Sequence, residues 1–208
     1  MAQGGAMRVK GFDIHRQWLD RPAQEAVLAD LRGVIRAAPL MHPVTAAGRR
    51  MSVRMTSAGR VGWISDRAGY RYAARHPAGQ VWPAIPDSIL SIWRALGPAR
   101  LPDCCLVNFY GEGARMGLHQ DRDEGTFDHP VISLSLGDDG LFRMGNPTRG
   151  GKTESLWLNS GDVVVMGGDA RLAHHGVDRI RFGSSSLLPR GGRVNVTLRV
   201  VDDVQERR

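Results

Sequence analysis

The sequence predicts a mostly β protein in which a barrel or jelly-roll of short strands follows a region with two helices. From residue 103 onward, about eight short strand patterns follow one another without a helical pattern between them, and Gly, Asn, Asp and Pro turn signals separate them. Before that point, two segments have helical spacing and would pack outside one sheet. Hydrophobic residues make up 42% of the 208 residues, enough for a sizeable core. We expect a single domain over 1–208, with the barrel at 101–201 and a tail at 202–208.

The first hundred residues are expected to form a mixed α/β extension. Pro22 lies near the first turn of the first predicted helix. In the second helix Asp87 is the expected N-cap, and Gly97 ends the helix. In chain order, the expected elements are a loose tail at 1–6, a strand at 7–14, a helix at 22–37, a strand at 51–56, an aromatic, Gly- and Arg-rich loop at 62–72 and a helix at 87–96.

The second half is expected to consist of strands joined by tight turns. Alternating and short apolar patterns predict strands at 105–110, 117–121, 131–136, 141–144, 154–158, 162–166, 170–174 and 193–201. A loop is predicted at 181–192, where serines and glycines accumulate.

The charge of the chain favours a polyanionic partner. The formal net charge is +7 and the sequence pI is about 10.4. Of the 28 basic residues only Lys10 and Lys152 are lysines, which leaves 26 arginines. Because arginine binds phosphate through two parallel hydrogen bonds, nucleic acid is the favoured partner. The alternative is a compositional bias toward arginine that carries no function.

The cysteines and the N-terminus indicate an intracellular protein. Cys104 and Cys105 are the only cysteines, and adjacent cysteines rarely form a disulfide. No signal-peptide pattern opens the sequence, and no apolar run approaches the ~20 residues needed to cross a bilayer. We expect a cytoplasmic protein without membrane association, and nothing in the sequence requires more than a monomer.

A histidine and a carboxylate two residues apart form the centre of the candidate site. In an extended strand, alternate side chains share a face, so His119 and Asp121 are expected on the same side. A second histidine would complete the 2-His-1-carboxylate set typical of non-haem Fe(II) oxygenases. His174 and His175 are the candidates, and periodicity alone leaves open which of them points inward.

The last predicted strand alternates strictly between a valine- and leucine-rich face and a polar face. The polar face carries Arg193, Asn195, Thr197 and Arg199. Taken alone, such a face fits a solvent-exposed strand. Together with the histidine–aspartate pair, it favours the lining of a pocket for a small dicarboxylate, with one arginine for each carboxylate.

These motifs together resemble the AlkB family of Fe(II)/2-oxoglutarate dioxygenases. The resemblance rests on three motifs in order, which are N-x-Y-x-x-G-x-x-M-x-x-H-x-D-x-D-E from residue 108, His175-Gly176, and R-x-N-x-T-x-R from residue 193. It implies a double-stranded β-helix (jelly-roll) dioxygenase core, with the N-terminal extension forming a nucleotide-recognition lid. The departure from the family pattern is Gly111-Glu112-Gly113, where members often carry a proline.

The resemblance also implies roles for individual residues. The family places its second histidine ligand before a glycine, so the implied iron ligands and catalytic residues are His119, Asp121 and His175. The implied 2-oxoglutarate site is Asn108, Tyr110, Arg193, Asn195 and Arg199. The implied substrate contacts are Trp63, stacked on an extruded base, with Tyr70, Tyr72, Asp123 and Arg149.

The activity implied by the resemblance is oxidative demethylation of N-alkylated bases such as 1-methyladenine and 3-methylcytosine. The cofactor would be Fe(II), the cosubstrates 2-oxoglutarate and O2, and the products succinate, CO2 and formaldehyde. The expected substrate is alkylated DNA, single-stranded in preference, with RNA as a second candidate. The alternatives are a 2-oxoglutarate-dependent hydroxylase or demethylase of a protein, RNA or small molecule, and a catalytically silent nucleic-acid-binding jelly-roll.

Overall fold

A computed structural model describes residues 5–202, so most of the two expected tails lies outside the described residues. Within residues 5–202, no helix is long and apolar enough to cross a membrane. Two α-helices and thirteen strands are described. In chain order they are β1 (Ala6–Val9), β2 (Phe12–His15), α1 (Arg21–Ala37), β3 (Arg54–Gly59), β4 (Gly62–Asp66), β5 (Gly69–Ala73), α2 (Asp87–Leu96), β6 (Cys104–Tyr110), β7 (Met116–His119), β8 (Val131–Gly137), β9 (Asp139–Met144), β10 (Glu154–Leu158), β11 (Val163–Met166), β12 (His175–Arg181) and β13 (Arg193–Arg199).

The eight strands β6–β13 form a double-stranded β-helix, as the sequence predicts. The major sheet has the order β1-β2-β11-β8-β13-β6-β3, and the minor sheet has the order β10-β9-β12-β7. Every paired strand in both sheets is antiparallel. Side chains from both sheets, including Phe12, Phe142, Met144 and Val164, are buried together between them. This inter-sheet core opens at one end into the candidate site.

One predicted strand, 170–174, is wrong. Gly168–Ala170 form a 3₁₀ turn, and the amide of Ala173 donates to the carbonyl of Ala170. Local hydrogen bonds therefore occupy these backbone groups, and the strand begins at His175. It continues through Arg181, which shortens the loop predicted at 181–192.

The two helices pack on the outer face of the major sheet. Leu31 of α1 and Trp93 of α2 are buried against the apolar face of β13, which contributes Val196 and Leu198. The Asp20 carboxylate caps α1 by accepting a hydrogen bond from the Ala23 amide at 3.0 Å. The predicted cap of α2 is wrong by one residue: Pro86 holds the N-cap position and no side chain caps the helix.

The mixed N-terminal region contains two hairpins that the sequence did not predict. The strand expected at 7–14 is a hairpin, because Lys10 and Gly11 both adopt positive φ (50° and 85°) and turn the chain. The loop expected at 62–72 is the hairpin β4–β5, in which Asp66 accepts the Ala68 amide at 2.8 Å. The strand expected at 51–56 begins at Arg54.

Candidate active site

Three potential metal ligands meet where β7 and β12 lie side by side. His119 ends β7, His175 opens β12 directly opposite it, and Asp121 follows two residues after the end of β7. The two imidazole rings are 4.6 Å apart between centroids. The ligand atoms of all three residues lie within 4.8 Å of one another. These residues could hold a divalent metal ion.

The hydrogen bonds of both histidines prepare their Nε2 atoms as ligands. The Nδ1 atoms of His119 and His175 lie 3.0 Å from the carbonyl oxygens of Gly117 and Ala173, respectively. Because a carbonyl only accepts, each Nδ1 carries the proton and each Nε2 keeps its lone pair. The two Nε2 atoms face the carboxylate of Asp121, at 3.8 Å from Oδ1 and 3.7 Å from Oδ2.

The ionisation states also fit a cation. Burial, with the adjacent His119, lowers the pKa of His175 to about 4, so that this imidazole is neutral near pH 7. Burial alone would raise the pKa of Asp121, but the Arg199 guanidinium, which also donates a hydrogen bond to it, outweighs this effect and holds the pKa below its usual range. The Oδ2 atom of Asp121 is buried without a hydrogen-bond partner among the described residues. A buried, charged carboxylate oxygen of this kind is satisfied by a metal ion.

A second polar cluster lies on the inner face of the major sheet. Arg193 is directly opposite Tyr110 in the β13–β6 pair, and Asn195 is opposite Asn108. Directly opposed residues share a face, so these side chains point into one cavity. The cavity has a volume of about 610 Å³, and its polar floor consists of Asn108, Tyr110, Ser133, Arg193, Asn195, Thr197 and Arg199. The polar face of β13 therefore lines a pocket and is not a solvent-exposed surface.

Arg193 is a buried cation that lacks a carboxylate partner. Its side chain is almost fully buried, at 1% exposure, and donates to the hydroxyl of Ser135 at 2.6 Å. Among the described residues no carboxylate lies within ion-pair distance of it, and its Nε has no hydrogen-bond partner. Burial raises the pKa of Tyr110 to about 12, so that its hydroxyl remains a donor beside Arg193. The pair is suited to an anion with a carboxylate group.

Arg199 connects the polar cluster to the metal ligands. Its Nη2 donates to Oδ1 of Asp121 at 2.8 Å, and both side chains are buried. The two arginines of β13 therefore differ in their surroundings: Arg199 is already neutralised by carboxylates, while Arg193 is not.

Four of the five predicted substrate residues line the same cavity. They are Trp63, Tyr70, Asp123 and Arg149. The indole Nε1 of Trp63 donates to Oδ2 of Asp123 at 2.8 Å. The rings of Trp63 and Tyr70 are stacked, with centroids 5.5 Å apart and an interplanar angle of 22°. The hairpin β4–β5 thus contributes an aromatic wall to the cavity that the metal ligands also line.

Tyr72 has a different position from the one expected. It is buried at 5% exposure, does not line the cavity, and donates its hydroxyl to Oε1 of Glu124 at 2.6 Å. Tyr70 and Tyr72 share one face of β5, but Tyr70 lies near the exposed turn of the hairpin while Tyr72 is buried against Glu124. Direct contact of Tyr72 with a substrate does not match this placement.

Sequence reasoning missed two groups of residues around the site. Glu124 and Arg171 form a buried ion pair behind Asp121, with Arg171 Nη2 at 3.2 Å from Glu124 Oε2. Glu124 is the last residue of the motif that begins at residue 108, so the sequence could have indicated its role. Arg171 lies outside every motif, and no sequence pattern indicates its role. The cavity also has a group of thioether side chains, from Met51, Met55, Met116 and Met166.

Comparisons of the sequence and of the structure with known proteins indicate the same family. The model of the 2OG-Fe(II) oxygenase superfamily matches residues 11–199. An alpha-ketoglutarate-dependent dioxygenase AlkB homolog of Caulobacter vibrioides is 53% identical over 193 residues, which cover 92% of this chain and 88% of that protein. AlkB of Escherichia coli is 37% identical over 171 residues, covering 79% of each chain. The solved structure of OsALKBH1 matches with a TM-score of 0.79 at 28% identity, covering 94% of this chain and all of that one.

Fold, metal-ligand geometry and similarity agree. The chain therefore belongs to the 2OG-Fe(II) oxygenase superfamily and, within it, to the AlkB family of dioxygenases that use Fe(II), 2-oxoglutarate and O2.

Proposed function

We propose that this protein removes methyl groups oxidatively from alkylated nucleobases, with 1-methyladenine and 3-methylcytosine in DNA as its substrates. The observation that carries the proposal is the shared cavity, in which the metal ligands and an aromatic and acidic wall, Trp63 with Asp123, line the same space. Such a wall suits a flat, cationic ring better than a peptide or an aliphatic acid.

In this proposal, His119, Asp121 and His175 hold Fe(II) through two Nε2 atoms and a carboxylate oxygen. Bound Fe(II) and 2-oxoglutarate supply the oxidation of the N-methyl carbon by O2, and that carbon leaves as formaldehyde while 2-oxoglutarate becomes succinate and CO2. Arg199 holds Asp121 as a charged carboxylate through the bond at 2.8 Å.

The floor of the cavity would bind 2-oxoglutarate. Arg193 and Tyr110 would take its distal carboxylate, which gives the buried guanidinium the anionic partner that it lacks within the described chain. Asn108 and Asn195 would contact the same molecule from adjacent positions, and the buried Oδ1 of Asn108 has no protein partner among the described residues. Arg199 would lie near the end that meets the iron.

The hairpin β4–β5 would bind the base. Tyr70 covers one face of the Trp63 ring, so an extruded base would stack on the other face, at a gain of roughly 1–3 kcal/mol. The Asp123 carboxylate, held by the indole, would favour the positive charge of 1-methyladenine or 3-methylcytosine. Methylation at these positions blocks pairing and lowers the cost of extrusion.

Three exposed arginines at the cavity, Arg115, Arg122 and Arg149, suit the phosphates on either side of that base. A single strand avoids the cost of opening a duplex, so we propose single-stranded DNA as the preferred form and RNA as a second acceptor. The buried cysteines are free thiols that suit a reducing compartment, so we propose the cytoplasm as the location. We also propose that the protein acts as a monomer.

The test is incubation of the protein with Fe(II), ascorbate, 2-oxoglutarate and air in the presence of a single-stranded oligonucleotide with one 1-methyladenine. We expect the oligonucleotide to lose the mass of one methyl substitution, with succinate formed in parallel, and no reaction with Asp121→Ala. Succinate formation without demethylation of DNA or RNA would contradict the proposal and favour a protein or small-molecule substrate.

The role of Asp123 is tested with a neutral lesion. Asp123→Ala should reduce repair of cationic 1-methyladenine by roughly tenfold, the equivalent of about 1.4 kcal/mol, and should affect neutral 3-methylthymine much less. Equal losses on the two lesions would show that Asp123 does not act through its charge.

A further inference from the structure

Behind the metal ligands lies a buried cluster of charged and polar groups, which we call the Glu124 cluster: Tyr72, Glu124, Arg171 and Arg199. The Glu124 side chain is only 1% exposed. Its Oε1 accepts the Tyr72 hydroxyl at 2.6 Å and lies 3.4 Å from Arg199 Nε, while its Oε2 lies 3.2 Å from Arg171 Nη2. None of the roles proposed above accounts for Glu124, Arg171 or Tyr72.

The same two arginines also hold Asp121. Arg199 donates to its Oδ1 at 2.8 Å, and Arg171 Nη1 donates to its backbone carbonyl at 2.7 Å. Arg199 therefore lies between the carboxylates of Glu124 and Asp121, and Arg171 joins the Glu124 carboxylate to the backbone of Asp121. Removal or displacement of the Glu124 carboxylate would leave Asp121 as the one carboxylate among the described residues in contact with Arg199 and would remove the charged partner of Arg171.

The cluster also reaches the recognition hairpin. Tyr72 lies directly opposite Trp63 in the β4–β5 pair. Trp63 donates to Asp123 at 2.8 Å, and Tyr72 donates to the next residue, Glu124. Two adjacent hydrogen bonds thus join the hairpin to a four-residue segment, 121–124, whose first residue is the metal ligand.

The contacts of Glu124 with the arginines are close but poorly aligned. By hydrogen-bond geometry Glu124 Oε2 and Arg199 Nε have no partner among the described residues, although both are buried. Buried groups of this kind gain from a small rearrangement that aligns them. A movement of the hairpin or of Asp121 that improves this alignment would therefore strengthen the cluster.

We propose that Glu124 and Tyr72 are positioning residues that couple the hairpin β4–β5 to Asp121, so that nucleic acid and the metal with its cosubstrate strengthen each other's binding. The inference rests on the proposed function, because it takes the ligand of the hairpin to be nucleic acid. Coupling between two sites is reciprocal, so either ligand can be used to measure it.

The test compares the affinity for a labelled single-stranded oligonucleotide bearing 1-methyladenine in the presence and absence of Mn²⁺ with N-oxalylglycine, an inert analogue of 2-oxoglutarate. Fluorescence anisotropy gives the oligonucleotide affinity. Electron paramagnetic resonance of Mn²⁺ gives the metal affinity in the presence and absence of the oligonucleotide. We expect Mn²⁺ and the analogue to tighten binding at least about fivefold in the native protein. The coupling ratio is the oligonucleotide affinity with Mn²⁺ and the analogue divided by the affinity without them. In Tyr72→Phe, which keeps the ring and removes the hydroxyl, we expect this ratio to be close to one.

Thr56→Val is the matched control. Its hydroxyl is also buried and donates to the Ala38 carbonyl at 2.7 Å, but it touches neither the Glu124 cluster nor the cavity. If Tyr72 only stabilised the fold, the two variants would retain the same ratio. Glu124→Gln, which keeps the shape but loses the charge, should reduce the ratio as Tyr72→Phe does.

The outcomes separate this inference from the proposed function. Oligonucleotide binding with equal affinity in the presence and absence of Mn²⁺ and the analogue would overturn the coupling and leave the substrate assignment intact. A native ratio retained in Tyr72→Phe would also overturn it. Failure of the native protein to bind methylated oligonucleotide in either condition would overturn both.

Discussion

At the scale of single residues, the most informative side chain is Arg193. A buried guanidinium normally has a carboxylate partner, because an unpaired charge in the interior costs several kcal/mol. Arg193 is almost fully buried, yet it bonds to the Ser135 hydroxyl and to backbone carbonyls instead. The free protein therefore bears an electrostatic cost that a dicarboxylate bound beside Arg193, as proposed above, would remove.

Arg193→Lys should for this reason weaken 2-oxoglutarate binding while sparing the metal site. Lysine keeps the charge but loses the planar pair of donors, so we expect the KM for 2-oxoglutarate to rise about tenfold to a hundredfold, the equivalent of about 1.4–3 kcal/mol. Succinate formation as a function of 2-oxoglutarate concentration measures the KM, and Mn²⁺ affinity checks the metal site. Arg181→Lys, an exposed position over the Trp157 ring, is the control that should change neither value. An unchanged KM in Arg193→Lys would show that Arg193 does not bind 2-oxoglutarate.

The limits of sequence reasoning at this scale are clear at two positions. The period-2 pattern could not choose between His174 and His175, because the strand register begins only at His175, after a 3₁₀ turn. Tyr72 is a second case, since alternation places it on the same face as Tyr70 but does not show how deeply either side chain is buried. Here Tyr72 is buried while Tyr70 is half exposed, and a tertiary contact with Glu124 decides the difference.

At the scale of elements, strands with clear alternation were predictable and local hydrogen bonding was not. The strand β13 was predictable because its valine and arginine faces lie against different environments. The hairpin β4–β5 was missed because its glycines and arginines are typical of loops, while its pairing is fixed by neighbouring elements such as the Val44–Ser65 contacts.

The helix caps provide a stability prediction at the same scale. Asp20→Ala removes the carboxylate that accepts the Ala23 amide at the start of α1, so we expect the free energy of unfolding to fall by about 1 kcal/mol. Asp87→Ala should change the free energy of unfolding by only about 0.3 kcal/mol, because Asp87 is the first residue of α2 and its side chain does not cap the helix. Urea unfolding of the two variants measures both values, and equal losses would mean that Asp87 acts as a cap after all.

At the scale of the whole molecule, the major sheet separates two cores. Neighbouring residues of β6 point to opposite sides, so Cys104 belongs to the inter-sheet core and Cys105 to the core between the sheet and the helices. Both thiols are fully buried and free. Burial raises the pKa of Cys104 to about 11 and holds that of Cys105 well above its ordinary value. The two thiols therefore report on the integrity of the two cores.

Because the thiols are buried, we expect the free energy of unfolding to fall as the pH rises into the alkaline range. At pH 8 and below, well under the ordinary thiol pKa of 9.0, both cysteines are largely protonated in the folded and unfolded chains and contribute little pH dependence. Between pH 9 and 10 the unfolded chain releases these protons while the folded chain retains them, so stability falls as pH rises. The expected loss is about 1 kcal/mol for each thiol, or about 2 kcal/mol in total.

Urea unfolding at pH 8, 9 and 10 measures this loss, and a Cys104→Ala/Cys105→Ala variant is the reference. The variant will be less stable at every pH because it leaves two small cavities, but its stability should fall about 2 kcal/mol less between pH 9 and 10. The tyrosines titrate in both proteins and cancel in the difference. A parallel pH dependence in the two proteins would mean that the thiols ionise in the folded chain, and hence that the cores on the two sides of β6 admit water.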